Sequence, residues 1–233
     1  HAADNAAGYS IARSWEAKLG SLDVAADNAS TGADMLSTLE DNYSLISTHI
    51  QRVRDLTEQA ANGTYGDQSK KAIQEEIRAR LDEVNRIAAN CEFSGLSLMR
   101  GATEDVYLQV GLDSDSSKSG IKLDKKLFAY GDTLNLFKFV AADLPTGASD
   151  TLQYTPTEDD GDKGAAQIAQ YCAGLGTGNS AKSAAKMLEI IDNVIDRISG
   201  RITTLGAAQN RIESAIESIG VQSENITSSL STL

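Results

Sequence analysis

Apolar residues recur at alternating steps of three and four along the last fifth of the chain, from Leu188 to Leu233. Only Gln209 and Ser223 interrupt this stripe. The average step is about 3.5 residues, which is the period of a coiled coil. Each buried aliphatic side chain contributes about 1.5–3 kcal/mol, so the pattern predicts one long helix that needs a long partner. The stripe comprises Leu188, Ile191, Ile195, Ile198, Ile202, Leu205, Ile212, Ile216, Ile219, Ile226, Leu230 and Leu233.

The start of the chain carries a second long pattern of the same kind. Residues 5–62 contain one stripe at intervals of seven from Trp15 to Thr57, and a companion stripe from Ala25 to Ala60. The early part is rich in alanine and glycine, which allows a partner helix to approach closely. We therefore expect the two ends of the sequence to meet as paired helices, with the rest of the chain inserted between them.

A shorter helix follows a turn. Residues 61–67 contain Asn-Gly and a second glycine, a composition that ends a helix and supplies positions for positive φ. Asp67 or Ser69 can cap the next helix, which we expect to run to about Asn90 and to be followed by an irregular stretch from Ser94. The apolar stripe of this helix comprises Ile73, Ile77, Leu81, Val84 and Ala88.

The middle of the chain lacks strong periodicity. Residues 106–111 and 120–123 have strand composition, and the Asp/Ser-rich run 113–119 between them predicts a hairpin loop. Residues 132–142 fit either a strand or a short helix. A short helix over 164–173 and a glycine-rich hinge over 174–179 complete the pattern.

These patterns predict a mainly α fold. We expect an elongated antiparallel bundle of long helices, made of an N-terminal helix, a shorter second helix and a C-terminal helix. A small middle insertion contains the β-hairpin. The predicted boundaries place the N-terminal part of the helical core in residues 1–100, the variable middle in 101–179 and the completing helix in 180–233.

Composition narrows the function. The net charge of −12 argues against nucleic acid and against an anionic membrane surface, since both require a basic face. No apolar run approaches the roughly 20 residues of a membrane span. The start carries no secretory signal pattern and opens with His1 rather than Met, so we expect a processed or truncated piece.

No catalytic constellation is visible in the sequence. Phosphate-binding, dinucleotide-binding, zinc-protease and serine-hydrolase motifs are absent, which predicts a protein that is not an enzyme and needs no cofactor. His49 fits a solvated helix position better than a ligand. The acidic residues Glu158, Asp159, Asp160 and Asp162 fit either a solvated loop or a weak calcium site. Cys91 and Cys172 can either pair or pack as small hydrophobes.

Several motifs in order resemble those of bacterial flagellins. They are Ala2–Gly8 with Ile11-Ala12, Ile50–Leu56 with Gln59–Thr64, Ile73–Ile77, Asn85–Ala88 with Glu92–Gly95, Leu108–Gly111, Leu205–Ile212 and Ser223–Thr227. The resemblance covers residues 2–111 and about 184–229. It implies both chain ends in one helical domain, with a small or missing outer domain and Cys91 where most relatives have threonine. It also implies that the extreme terminal helices are absent, so we expect a monomeric core fragment.

The same resemblance implies a function and partners. Flagellin subunits polymerise into the extracellular filament of the bacterial flagellum, after delivery by an export chaperone and the flagellar type III apparatus. Residues Ala61, Asn62, Gly63 and Thr64 match a loop that contacts adjacent subunits. A hook–filament junction protein is the alternative within this class. A flagellin carrying a metallopeptidase insert is another, but the middle segment contains no histidine. A plain helical adhesin is a third.

Flagellins are also ligands of the innate immune receptor Toll-like receptor 5. The positions that match its contact residues are Arg52, Leu56, Gln59 and Glu76. The resemblance implies a planar cation at Arg52, an apolar anchor at Leu56 and a charged partner at Glu76. The alternative for Arg52 is an ordinary exposed helix arginine. Nearby, Asp55, Thr57 and Glu58 replace the commoner residues of the family.

Overall fold

The computed structural model describes residues 2–102, 104–112, 119–137, 164–176 and 180–232, and the side chains of all these except 2–4 and 180–183. The helices are α1 (Ala2–Ala61), α2 (Asp67–Asn90), α3 (Thr133–Phe137), α4 (Ala165–Cys172) and α5 (Ser180–Ser231). The strands are β1 (Glu92–Phe93), β2 (Leu96–Ser97), β3 (Val106–Gln109) and β4 (Gly120–Leu123), and a 3-10 helix spans Lys125–Phe128. The predicted mainly α fold, with two long terminal helices, a shorter second helix and a middle hairpin, is confirmed.

The chain divides into two compact units, and both long helices contribute to each. The first unit contains residues 1–37, 102–127 and 204–233. In it, Leu22 and Ala25 of α1 form a buried cluster with Ile219 of α5. Strands β3 and β4 pair antiparallel, from Val106 opposite Leu123 to Gln109 opposite Gly120.

The hairpin packs closely on α1 inside this first unit. A Cβ atom added at Gly32 would lie 2.3 Å from a Leu108 methyl carbon, so the absence of a side chain at Gly32 lets the strand approach. The Asn28 amide donates to the Gln109 carbonyl at 3.0 Å. The prediction that a small residue allows close packing holds at Gly32, but the expected partner was wrong, because a strand and not a helix approaches there.

The second unit contains residues 38–101 and 128–203. Helix α2 packs against α4 and, more briefly, against α3. The Asn85 side chain accepts a hydrogen bond from the Thr133 amide at 2.8 Å, which holds the start of α3 on α2. The buried carboxylate of Asp132 accepts from the amide and side chain of Asn135 and closes that first turn.

Within each unit, α1 and α5 run antiparallel. In the first unit, the Gln209 amide donates to Ser37, while Leu22 clusters with Ile219. In the second, Arg54 pairs with Asp192 and Tyr43 with Arg201. As the residue numbers increase along α1, the numbers of the residues that they contact on α5 decrease. This confirms the predicted antiparallel arrangement of these helices.

The apolar stripe of α5 is covered unevenly. Every seventh residue is fully or almost fully buried, whereas most positions between them are half-buried. The helix begins at Ser180, before the predicted stripe, and its first turns bury Met187, Ile190 and Val194 as well. The buried heptad positions are Ile191, Ile198, Leu205, Ile212 and Ile219. Leu233 lies outside the described residues.

Three local expectations, at the two ends of α2, were wrong. The stretch after α2, expected to be irregular, forms a β1–β2 hairpin whose two turn residues, Ser94 and Gly95, have φ values of 50° and 82°. This pair of positive φ values is typical of a type I′ turn. In the α1–α2 loop, by contrast, no positive φ occurs, and Gly66, with φ −80°, occupies the N-cap position expected for Asp67 or Ser69.

The ambiguous segment 132–142 begins as helix α3, and the short helix predicted over 164–173 is α4. The hairpin loop from Asp113 to Lys118, the acidic run 158–162 and the hinge residues 177–179 lie outside the described part of the chain.

Candidate functional site

A cation and an anion from neighbouring helices meet at the α1–α2 surface. The guanidinium of Arg52 on α1 contacts the carboxylate of Glu76 on α2, with Nη2 and Nε at 2.9 and 3.0 Å from Oε1. Both side chains keep about two-fifths of their area exposed, at 44% and 41%. Two of the four residues that resemble receptor contacts are therefore adjacent, and they already bind each other.

The loop that ends α1 lies next along the chain. The Gln59 side chain is exposed and donates to the Tyr65 hydroxyl at 3.0 Å, across the loop. The Asn62 side-chain oxygen accepts from both the amide and the hydroxyl of Thr64, at 3.1 and 3.0 Å. Ala61 is half-buried, while Asn62, Gly63 and Thr64 are exposed. The predicted subunit-contact residues thus form a surface turn held by its own hydrogen bonds.

Leu56 is buried, unlike the other three candidate receptor contacts, which are exposed or partly exposed. Its side chain is 2% exposed and belongs to the core of the second unit. Thr57 is fully buried, and its hydroxyl donates a hydrogen bond to the Val53 carbonyl at 2.7 Å. In this conformation Leu56 does not present the apolar anchor that the motif suggested, because the packing of α1 covers it.

Glu58 joins a second surface network. Arg54 binds Asp192 of α5 at 2.7 Å and Glu58 one turn further along α1 at 3.4 Å. The hydrogen bond to Asp192 and its charge raise the pKa of Arg54. These groups are solvent-exposed, so each pair stabilises the chain little. The carboxylate at Glu58 therefore faces an arginine of its own chain.

His49, which lies about one turn before Arg52 on α1, contacts Arg80 of α2. The Nδ1 atom of His49 lies 3.2 Å from Nη1 of Arg80, an arrangement in which the neutral imidazole accepts from the guanidinium. Burial, then the charge of Arg80, lowers the pKa of His49, with Arg86 adding to this and Glu83 opposing it. The prediction of a solvated helix residue is incomplete, because this histidine bridges two helices.

We expect the free energy of unfolding to fall as the pH decreases below about 6.5, the ordinary pKa of histidine. The folded-state pKa of His49 is lowered, so the unfolded chain binds a proton first and the contribution of neutral His49 is lost toward acid. Urea unfolding of the parent and of His49→Gln at pH 7 and pH 5.5 measures this. We expect the decrease in the free energy of unfolding between pH 7 and pH 5.5 to be smaller in the variant. Equal decreases in both chains would contradict the contribution assigned to His49.

Two arginines of α5 form a cluster that the sequence analysis did not single out. Arg201 donates to the Tyr43 hydroxyl at 3.0 Å and to the Tyr130 carbonyl at 2.8 Å, and its guanidinium lies 5.7 Å from the Tyr43 ring centre. One turn earlier, Arg197 donates to the Leu136 carbonyl at the end of α3. The sequence feature that could have indicated this cluster is the pair of arginines, four residues apart, beside the apolar stripe of α5. Burial, then the charge of Arg201, lowers the pKa of Arg197.

Cys91 and Cys172 are both buried and both free, so the alternative of small packed hydrophobes applies. Burial raises the pKa of Cys91 to about 11. It raises the pKa of Cys172 to about 12, against the effect of a hydrogen bond with Thr57. Thiols of this kind are inert at neutral pH.

Nothing in the described part of the chain assembles a metal centre. No group of three His, Cys, Asp or Glu side chains comes together there, and the acidic residues Glu158, Asp159, Asp160 and Asp162 lie outside it. Across the same residues, every helix is too short or too polar to cross a bilayer.

Family models match both ends of the chain. The bacterial flagellin N-terminal helical region matches residues 1–104, and the bacterial flagellin C-terminal helical region matches residues 188–233. A flagellin of Xenorhabdus nematophila is 36% identical over 138 residues, which are 59% of this chain and 43% of the relative. Flagellin FlaB1 of Treponema pallidum is 27% identical over 228 residues, covering 97% of this chain and 70% of that protein.

Solved structures share the fold. A flagellin from Bacillus cereus superposes with a TM-score of 0.53 at 20% identity, covering 83% of this chain and 88% of that one. A proposed flagellar hook-associated protein from Vibrio parahaemolyticus gives 0.71 at 13% identity, covering 96% of both chains. At such identities these likenesses concern the fold alone. The two family regions lie on α1, α2 and α5, the helices that carry the motifs, and the chain therefore belongs to the bacterial flagellin family.

Proposed function

We propose that this chain is the core of a structural subunit of the bacterial flagellar filament. One observation carries the proposal: the two flagellin regions lie on helices that run antiparallel in each compact unit and that bury apolar side chains at regular intervals. Filament subunits need such a rigid helical core to transmit load. The chain spans less than half of the first relatives it matches, so the activity of a whole flagellin is part of the proposal.

The α1–α2 loop is the subunit contact that this proposal favours. Asn62, Gly63 and Thr64 are exposed, polar and held in one conformation by the two bonds to the Asn62 side chain. A prearranged turn loses little conformational entropy when it docks on a neighbouring subunit. Loop residues that are exposed yet locally rigid are suited to a repeated contact.

Polymerisation tests the proposal. The chain, joined to the terminal segments of a longer flagellin relative, is incubated in polymerising salt and viewed by electron microscopy. We expect filaments, and we expect Thr64→Arg to prevent or shorten them while Thr64→Ser does not. A fusion that stays monomeric with a helical spectrum would contradict the proposal. If filaments of another flagellin are added and the fusion binds only at their ends without extending them, the result would instead favour a junction protein.

The proposed role includes an extracellular location, passage through the flagellar type III apparatus and binding of an export chaperone before assembly. It includes no catalytic step and no cofactor. The flagellin family is a family of structural proteins, and this assignment is what supports a role without catalysis.

We further propose that the α1–α2 surface is a ligand of Toll-like receptor 5. The Arg52–Glu76 pair and the Gln59 side chain lie on exposed positions that match the family's contact residues. An exposed arginine already oriented by a carboxylate offers its remaining donors in a fixed plane. Leu56 is covered in this chain, so recognition rests on the polar residues.

Binding of the receptor ectodomain to the full chain tests this second role. We expect Arg52→Ala and Glu76→Ala each to weaken binding about tenfold, because each removes a polar contact and releases its partner. The matched control is Arg86→Ala, since Arg86 pairs with Glu83 on its own helix at 2.5 Å. Equal effects of Arg52→Ala and Arg86→Ala, or a parent chain that does not bind, would contradict this role.

A further inference from the structure

The α1–α2 loop contains a dipeptide with chemistry of its own. Asn62-Gly63 is the single Asn-Gly pair in the 233-residue sequence. The backbone nitrogen after an asparagine can attack the side-chain amide carbon and close a five-membered succinimide ring. Glycine permits this attack best, because it has no Cβ to hinder the approach or to restrict the backbone.

The attacking group is accessible in this structure. Asn62 and Gly63 are both exposed, beyond the last residue of α1. The Gly63 amide has no hydrogen-bond acceptor among the described residues. By contrast, an asparagine inside a helix is followed by an amide that bonds to a carbonyl four residues earlier. The nitrogen that must react is thus not engaged in the fold.

The electrophile is polarised by the turn. The Thr64 amide and hydroxyl both donate to the Asn62 side-chain oxygen, at 3.1 and 3.0 Å. When a nitrogen adds to the amide carbon, negative charge develops on this same oxygen. Two donors already aimed at it stabilise that charge more than they stabilise the neutral amide.

We propose that Asn62 is a self-modifying site, at which the turn around Thr64 promotes deamidation. The Gly63 nitrogen loses its proton to hydroxide and bonds to the Asn62 side-chain carbon. The carbon–nitrogen bond of the side-chain amide breaks, and ammonia leaves with a proton from water. Water then opens the succinimide at either carbonyl, giving aspartate or isoaspartate. Water is the co-reactant, and no oxidant or metal takes part.

The product changes the loop in two ways. A carboxylate replaces a neutral amide on an already acidic chain, and the isoaspartate form adds one carbon to the backbone path. Both changes occur at the proposed subunit contact, so an effect on assembly rests on the proposed function. The chemistry itself does not, since it proceeds in the single chain.

Peptide mass spectrometry of the full chain, aged at mildly alkaline pH, tests the proposal. We expect Asn62 to lose ammonia faster than Asn210 and Asn225, which are exposed inside α5 and serve as internal references. Gly63→Ala slows the loss at least about tenfold by hindering attack. A Cβ at Gly63 would meet nothing within 4 Å, so this variant keeps the fold.

Thr64→Val isolates the contribution of the turn, because it keeps the side-chain shape and removes one donor. We expect it to slow the reaction about tenfold, which is less than the loss of one donor from an enzyme's oxyanion hole, because the Thr64 amide still donates to the same oxygen. Loss at Asn62 no faster than at Asn225, or a Thr64→Val rate equal to or above that of the parent, would overturn the proposal. A chain that deamidates as expected, while its fusion with the terminal segments of a longer flagellin relative stays monomeric, would instead contradict the proposed filament role alone.

Discussion

Replacing Ile198 by alanine is expected to lower the free energy of unfolding by about 3 kcal/mol. Ile198 lies on the buried heptad of α5 and is 0% exposed, so the substitution removes apolar contacts and leaves a cavity in the second unit. The surrounding helices are held at several points and cannot collapse fully into that space. Urea unfolding followed by circular dichroism measures the change.

Ile195→Ala is the matched control for this substitution. Ile195 lies in the same predicted stripe on the same helix, but it is half-buried. Truncating a half-exposed aliphatic side chain costs about 1 kcal/mol, because part of its surface already contacts water. Equal losses for the two variants would show that the helices do not pair as described.

Replacing Arg201 by methionine is expected to cost about 3 kcal/mol. The change removes two hydrogen bonds, to the Tyr43 hydroxyl and the Tyr130 carbonyl, together with the contact over the Tyr43 ring. The Tyr43 side chain is 0% exposed, so its hydroxyl cannot recover the bond from bulk water. Methionine keeps most of the apolar length, and the loss therefore reports the polar contacts.

Arg211→Met provides the control for Arg201, since Arg211 lies on the same helix with an exposed side chain. We expect this control to change stability by no more than about 0.5 kcal/mol. A double-mutant cycle with Tyr43→Phe then measures the direct coupling between Arg201 and Tyr43. Zero coupling energy, or equal losses for the two arginines, would contradict the cluster.

The long helices were predictable because their pattern is long. A period near 3.5 that persists through many turns rarely arises by chance, so α1, α2 and α5 follow from apolar spacing alone. The β3–β4 hairpin followed from two short β-rich runs and the loop residues between them. Strands β1 and β2 have two residues each, too few for any periodicity, and the turn between them includes Ser94, which is not a usual residue for positive φ.

The sequence indicated which residues belong to the candidate receptor-binding site, but it did not indicate which of their side chains are exposed. Motif resemblance placed Arg52, Leu56 and Glu76 together, but it could not tell that Leu56 is covered while Arg52 remains half-exposed. Burial depends on how α1 packs inside its unit, which no local pattern contains. The same holds for Arg201, whose partners are 158 and 71 residues away in the sequence.

Helical reconstruction by electron cryomicroscopy tests whether the chain is a filament subunit, using filaments grown from the chain joined to the terminal segments of a longer flagellin relative. We expect a subunit in which α1 and α5 run antiparallel and the loop Ala61–Thr64 touches a neighbouring subunit. Filaments in which this loop faces solvent throughout, or in which α1 and α5 of one chain separate, would contradict it.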